Sequence, residues 1–150
     1  MVKSLLEQRA DINSLNAAYR TPLDRAVTLG HFDIVRLLIK RGVEVYSRDE
    51  WGWAALHVAS RYGHLGVVQV LVDHGANVNA RKADRWAPSH ISVAMGSLGI
   101  VELLLERGAD IQTLNDEDDT PYELSLQYGF RKIADLLWDS SFFMGYVMSD

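Results

Sequence analysis

The sequence contains no cysteine. That excludes disulfides, thiolate metal sites and a cysteine nucleophile. It also lacks an excess of basic residues: 15 Lys and Arg stand against 20 Asp and Glu, a formal net charge of -5. Nucleic acid is therefore not the expected main partner, because phosphate binding rests on Lys and Arg. No apolar run approaches the roughly 18 residues that would suggest a membrane span. The opening stretch MVKSLLEQRADIN meets charge early and has no apolar signal-peptide core. Catalytic signatures are missing too: no HExxH, no GxSxG and no glycine-rich phosphate loop. The expectation is a soluble intracellular protein, cytoplasmic or nuclear, with no catalysis, cofactor or metal.

What is present is a repeat. Shifted by 33 residues, the chain aligns with itself without gaps. The tetrapeptides TPLD (21–24), AALH (54–57), APSH (87–90) and TPYE (120–123) keep that step. So do Gly30, Gly63, Gly96 and Gly129, and so do Gly42, Gly75 and Gly108. Each unit reads as two short helices. Thr21 is an N-cap, Pro22 suits the first helical position, and Asp24 completes an Asp version of the capping box. Thr120, Pro121 and Glu123 repeat the arrangement. A helix over about 22–29 breaks at Gly30. A second, over about 32–40, carries Ile34, Val35, Leu37, Leu38 and Ile39 and ends at Gly42 in a left-handed cap. Two such helices cannot bury their apolar faces alone, so neighbouring units must stack.

These columns, with the segments GHFDIVRLLIKRG, GHLGVVQVLVDHGANVNA and GSLGIVELLLERGAD, resemble ankyrin repeats. The resemblance implies an all-α solenoid of stacked helix-turn-helix units with projecting hairpin loops. It spans nearly the whole chain as a single domain. Full units are expected at 16–48, 49–81, 82–114 and 115–147, after a half unit at 1–15. A chain that begins in mid-unit is either a fragment of a longer array, the favoured reading, or is capped by the half unit itself. The tail from about 139, with FFMGYVM, is too apolar for a free end. Folding back over the last unit is the simplest expectation; a truncated further repeat or a self-association surface are the alternatives.

The sequence departs from the family pattern in places. Ala54 and Ala87 replace the capping threonine, each at a cost of about 1 kcal/mol. Ser89 stands at an apolar position and Arg9 at a cap glycine. The loop-tip glycine survives only as Gly52; Tyr19, Arg85 and Asp118 hold that place elsewhere. His57 and His90 share one column and His31 and His64 another, which points to structural hydrogen bonds at helix starts. His74, near a helix end, suits a solvated surface role favoured by the helix dipole. The acidic run 116–119 lacks the ligand spacing of a calcium loop and reads as a solvated or partner-facing loop.

The family resemblance implies a concave surface, made of loop tips and the exposed side of each first helix, that binds a protein partner. Its columns fall on Ala17, Ala18, Arg20, Thr28, Leu29 and Arg48 in the first full unit. They fall on Glu50, Trp51, Trp53, Arg61, Tyr62 and Arg81 in the second. Ala83, Asp84, Trp86, Ala94 and Met95 follow, then Asp116, Glu117, Asp119, Gln127 and Tyr128. Trp, Tyr, Arg and Met gather in the middle two units, and these types are enriched in interface hot spots. Loop charge is segregated: Arg48, Arg81, Lys82 and Arg85 lie centrally and Asp116 to Asp119 at the end, a bipolar strip that would orient a partner. Trp53 and Trp86 recur in one column and lean toward scaffold. Trp51 has no aromatic counterpart and leans toward contact; Arg61 and Tyr62 fit either role. The function expected is a non-catalytic protein-binding module. The alternative is a structural spacer or a self-associating segment of a longer array.

Overall fold

Residues 20–148 are described by the computed structural model. The expected half unit at 1–15, with Ala17, Ala18 and Tyr19, lies outside the described residues, as do the side chains of residues 142–148. Within the described range the helices come in pairs: α1 (Pro22–Leu29) with α2 (Phe32–Lys40), α3 (Ala55–Tyr62) with α4 (Leu65–Asp73), α5 (Pro88–Ala94) with α6 (Leu98–Glu106), and α7 (Pro121–Gln127) with α8 (Arg131–Met148).

Local chemistry starts each first helix. Thr21 Oγ1 accepts from the Asp24 N–H at 3.2 Å, and the Thr21 N–H donates to Asp24 Oδ2 at 2.9 Å. Thr120 and Glu123 repeat the exchange at 3.2 and 2.7 Å. Burial raises the Asp24 carboxyl above its ordinary value, against the opposing pull of its bonds from Thr21. Each pair turns through a bond from the residue after the turn glycine back to the first helix. His31, His64, Ser97 and Phe130 donate to the carbonyls of Ala26, Ala59, Ser92 and Ser125 at 2.9–3.1 Å. The second helices α2, α4 and α6 close the same way, with Val43, Ala76 and Ala109 donating to Leu38, Leu71 and Leu104 at 2.9–3.1 Å. Gly42 takes the left-handed conformation this closure needs, with φ +87°. Ser141 occupies that column in the last pair, and α8 runs on to Met148 without a break.

First helices pack side by side as one layer (α1, α3, α5, α7) and second helices as another (α2, α4, α6, α8). The core lies between the layers. Leu38, Leu71, Leu104 and Leu137, one column of the repeat, are at most 1% exposed. Each contributes about 1.5–3 kcal/mol by leaving water. Val43 and Val45 of the first connecting stretch are buried against the same core. The stacking holds the three connecting loops in register, and that register builds the candidate site.

Candidate functional site

The loops that follow α2, α4 and α6 end in the same hairpin tip. The Asp49 N–H donates to Trp53 O and the Gly52 N–H to Asp49 O, both at 3.0 Å. Lys82, Arg85 and Trp86 repeat the pattern, as do Asn115, Asp118 and Asp119. The tip residue has positive φ in all three: +82° at Gly52, +65° at Arg85 and +62° at Asp118. Asp49 Oδ1 fixes its tip by accepting from the Trp51 and Trp53 N–H groups at 3.0 and 2.9 Å. Asn115 Oδ1 does the same for Glu117 and Asp119, both at 2.9 Å. This side-chain bond to the backbone is what fits Asp and Asn to turns.

Lys82 stands in that column and cannot accept. Asp84 substitutes for it in part, taking the Trp86 N–H at 3.2 Å. The nearly buried Lys82 ammonium pairs with Asp84 at 2.9 Å and sits 4.1 Å from the centre of the Trp53 ring. Burial alone would raise the Asp84 carboxyl, but bonds from Lys82 and Trp86 outweigh it and hold it below its ordinary value. The tip at Gly52 meets this loop closely. A Cβ there would lie 2.9 Å from the Ala83 nitrogen, whose N–H donates to Trp51 O at 3.1 Å.

The histidines divide into distinct roles. His57 is fully buried; its Nδ1 accepts from the Ala54 N–H at 3.1 Å, so Nε2 carries the proton and donates to Ala80 O at 2.9 Å. Burial pushes its pKa down to about 4, aided by the charges of Lys82 and Arg48 and opposed by the Ala80 carbonyl. His90 repeats this with the Ala87 N–H and the carbonyls of Thr113 and Asp119, all at 3.1 Å. Burial lowers its pKa as well. Both rings supply the half of the capping box that Ala54 and Ala87 leave open to them. His64 departs from the expected local bond at a helix start. Its Nε2 reaches back to Thr28 O of the preceding pair at 3.2 Å. His74 is exposed at the end of α4, with Nδ1 donating to Val70 O at 2.8 Å.

The aromatic residues separate by their neighbours. Trp53 is half-buried, with Lys82 against its ring and the Arg61 guanidinium 6.0 Å from its centre. Trp86, also half-buried, donates from Nε1 to Asp116 at 2.9 Å and lies against His90. Both span adjacent loops. Trp51 is 55% exposed, and only its backbone is tied down. With Arg20, Asp49, Trp53, Val58, Arg61 and Tyr62 it lines a groove of about 220 Å³. Tyr62 is stacked on His64 with rings 6.3 Å apart and 23° from parallel.

The loop charges meet one another. Arg48 donates to Arg81 O at 2.9 Å, and Arg81, one repeat on, donates to Leu114 O. Arg85 pairs with Asp118 at 2.9 Å. Asp119 accepts from Gln127 at 3.0 Å. Glu50 and Glu117 are exposed at their tips. Thus part of the bipolar strip bridges loops inside the molecule. In sequence Lys82 reads only as a loop charge; its column, shared with Asp49 and Asn115, is the one signal of its unusual role.

A further set emerges on the first-helix layer. Leu29, Tyr62, Met95 and Tyr128 share one repeat column. They are 54%, 53%, 47% and 53% exposed, at the C-terminal ends of α1, α3, α5 and α7. Among the described residues no group of three or more His, Asp or Glu is placed to hold a metal ion. No described helix is long and apolar enough to cross a membrane.

A family model for ankyrin repeats, in three copies, matches residues 1–82 and 30–118. Mouse protein phosphatase 1 regulatory subunit 27 is 33% identical over 52 residues, covering 35% of this chain and 34% of that protein. Mouse ankyrin repeat domain-containing protein 13B is 37% identical over 57 residues, covering 38% of this chain and 9% of that protein. Zebrafish Notch-regulated ankyrin repeat-containing protein A is 29% identical over 60 residues, covering 40% of this chain and 54% of that protein. The matched stretches span only about a third of the phosphatase subunit and about half of the zebrafish protein.

Proposed function

The chain belongs to the ankyrin-repeat family, and on that premise we propose that it is a non-catalytic protein-interaction module working inside the cell. The partner meets the first-helix ends and the loop tips. Within this reading the contact residues are Arg48, Glu50, Trp51, Trp53, Arg61, Tyr62, Arg81, Asp84, Trp86, Met95, Asp116, Glu117, Asp119 and Tyr128. Trp51, Arg61, Tyr62, Met95 and Tyr128 form its centre, because their side chains face solvent. Trp53, Trp86, Arg48 and Arg81 act chiefly by holding the loops in place.

One observation carries the proposal: large aromatic and apolar side chains stay exposed at matching positions on stacked helices. An exposed apolar row of this kind is expected of a contact surface. The groove beside Trp51 adds a largely apolar, aromatic recess edged by Arg20, Asp49 and Arg61, of the sort that anchors a side chain. Ankyrin repeats are generally protein–protein interaction modules, and the relatives are regulatory and ankyrin proteins by name.

The test is capture from native cell extract with the whole chain and with a Trp51→Ala, Tyr62→Ala variant of unchanged melting temperature. The expected result is a protein retained by the former and lost from the latter. Equal capture by both would put the contact elsewhere.

A further inference from the structure

The turns that end the first helices repeat one packing arrangement, and the turn at Gly63 breaks it. At Gly30 the His64 ring of the next pair covers the glycine: a Cβ there would lie 2.6 Å from His64 Cε1. At Gly96 the Phe130 ring does the same, with a closest approach of 2.8 Å. At Gly63 the covering position is held by Ser97, whose Oγ stays 4.0 Å away. Gly63 is accordingly exposed, whereas Gly30 and Gly96 are half-buried.

The side chain alone makes the difference. Ser97 and His64 share one backbone conformation, φ -88° and ψ 77° against φ -87° and ψ 79°. Neither side chain caps the helix it precedes. Gly63 thus forms the floor of a niche that is cut for a ring and lined by a serine.

Two further features say which ring completes it. His64 Nε2 bonds to Thr28 O at 3.2 Å, and a carbonyl can only accept, so Nε2 donates. Arg61 O, the counterpart at the end of α3, receives no such side-chain bond among the described residues. It belongs to the last turn of a helix, where carbonyls lack partners and the dipole is negative. A donor is favoured there and a carboxylate is not. The wall is the second feature. Tyr62 stacks on His64, and Tyr128 lies against Phe130, with ring centres 6.3 Å apart in both. Met95 stands at that column beside Ser97 and is 47% exposed. A thioether packs well against an aromatic ring.

We propose that a protein partner inserts a tryptophan or histidine side chain into this niche, its ring over Gly63 and beside Met95, its N–H donated to Arg61 O. The partner supplies from outside the contact that His64 makes within the chain one repeat earlier. This rests on the first-helix ends being the contact surface, and it adds the residue that anchors the partner.

The test fills the niche from within. Ser97→His and Ser97→Phe copy what His64 and Phe130 do at their own glycines, so both should keep or raise the melting temperature. Random dodecapeptides displayed on phage are selected against the whole chain, and the enriched peptides, made synthetically, are titrated by fluorescence polarisation. They are expected to share one Trp or His whose replacement by Ala weakens binding at least about tenfold, as for a truncated hot spot. Ser97→His and Ser97→Phe should each weaken them by a similar factor. Ser97→Ala, which leaves the niche open, should bind as the parent chain does. Peptides that lose affinity in the Trp51→Ala, Tyr62→Ala variant but bind the two filled variants at full strength, or share no Trp or His, would overturn the inference and leave the contact surface standing. Peptides indifferent to every variant, or no enrichment, would overturn both.

Discussion

Arg85 and Asp118, one repeat apart, both hold left-handed backbone at a loop tip and pair with each other at 2.9 Å. The position favours glycine, which Gly52 supplies in the preceding loop. A non-glycine residue there costs about 1–2 kcal/mol, less for Asp. The pair is well exposed, so its attraction is screened and returns at most about 1 kcal/mol. Loop-to-loop bonding in this molecule thus sits on top of local backbone strain.

Relief of that strain is measurable. Arg85→Gly should raise stability by about 0.5–1 kcal/mol, net of the lost pair and the greater freedom of glycine in the unfolded chain. Arg85→Val should lower it by more than about 1 kcal/mol, because a β-branched residue tolerates positive φ poorly. Urea denaturation of the two variants decides the matter; a less stable glycine variant would contradict the strain argument.

Caps offer a second handle. At Ala54 the backbone N–H is satisfied by His57, but no side-chain oxygen serves the His57 N–H as Thr21 serves Asp24. Ala54→Thr should add about 1 kcal/mol and raise the melting temperature by about 2–4 °C. An unchanged melting curve would show that capping is not limiting there.

Acid should weaken the fold through the buried histidines. The folded pKa of His57 is about 4, below the ordinary value near 6.5 of an unfolded chain. Between those values the unfolded state binds the proton and the folded state does not. Stability is therefore fully present above about pH 6.5 and lost as pH falls toward 4. His57 alone should account for about 2 kcal/mol between pH 7.5 and 5, and His90, shifted in the same direction, adds to it. NMR titration should find the His57 ring still neutral at pH 5. A ring that titrates near 6.5 would remove the basis of the prediction.

The tryptophans should behave differently from one another. Trp51→Ala should leave stability within about 0.5 kcal/mol, as expected of an exposed surface site. Trp53→Ala should cost more than about 1 kcal/mol, because it removes ring area packed between loops and a close ammonium. Chemical denaturation of both variants checks this; equal losses would mean that Trp51 also serves the scaffold.

Much of the architecture could be read from the chain. Thr21 with Asp24, Thr120 with Glu123 and Gly42 after α2 act through bonds a few residues long, so their meaning survives in sequence. The leucine column from Leu38 to Leu137 is legible because one apolar face recurs at a fixed period. The candidate site was legible only in outline. Recurrence alone separates Trp53 and Trp86 from Trp51 in the sequence; in the fold Trp53 lies near Lys82 and Trp86 bonds to Asp116, each in the following loop. For His64 the sequence suggests a local bond, whereas its ring reaches the preceding pair. Lys82 carried no local sign that it would lie buried against Trp53.

By itself, then, the sequence determined the helix pairs, their caps and the residues they bury, since each depends on short-range bonding or on periodicity. Tertiary structure alone decided which charged and aromatic side chains are engaged and which face solvent. Arg48, Arg81, Arg85 and Trp86 find their partners about one repeat away. Those distances are set by how the helices beneath the loops stack. A hydrogen bond across two loops needs positions correct to a few tenths of an ångström, and no local pattern of residues carries that information.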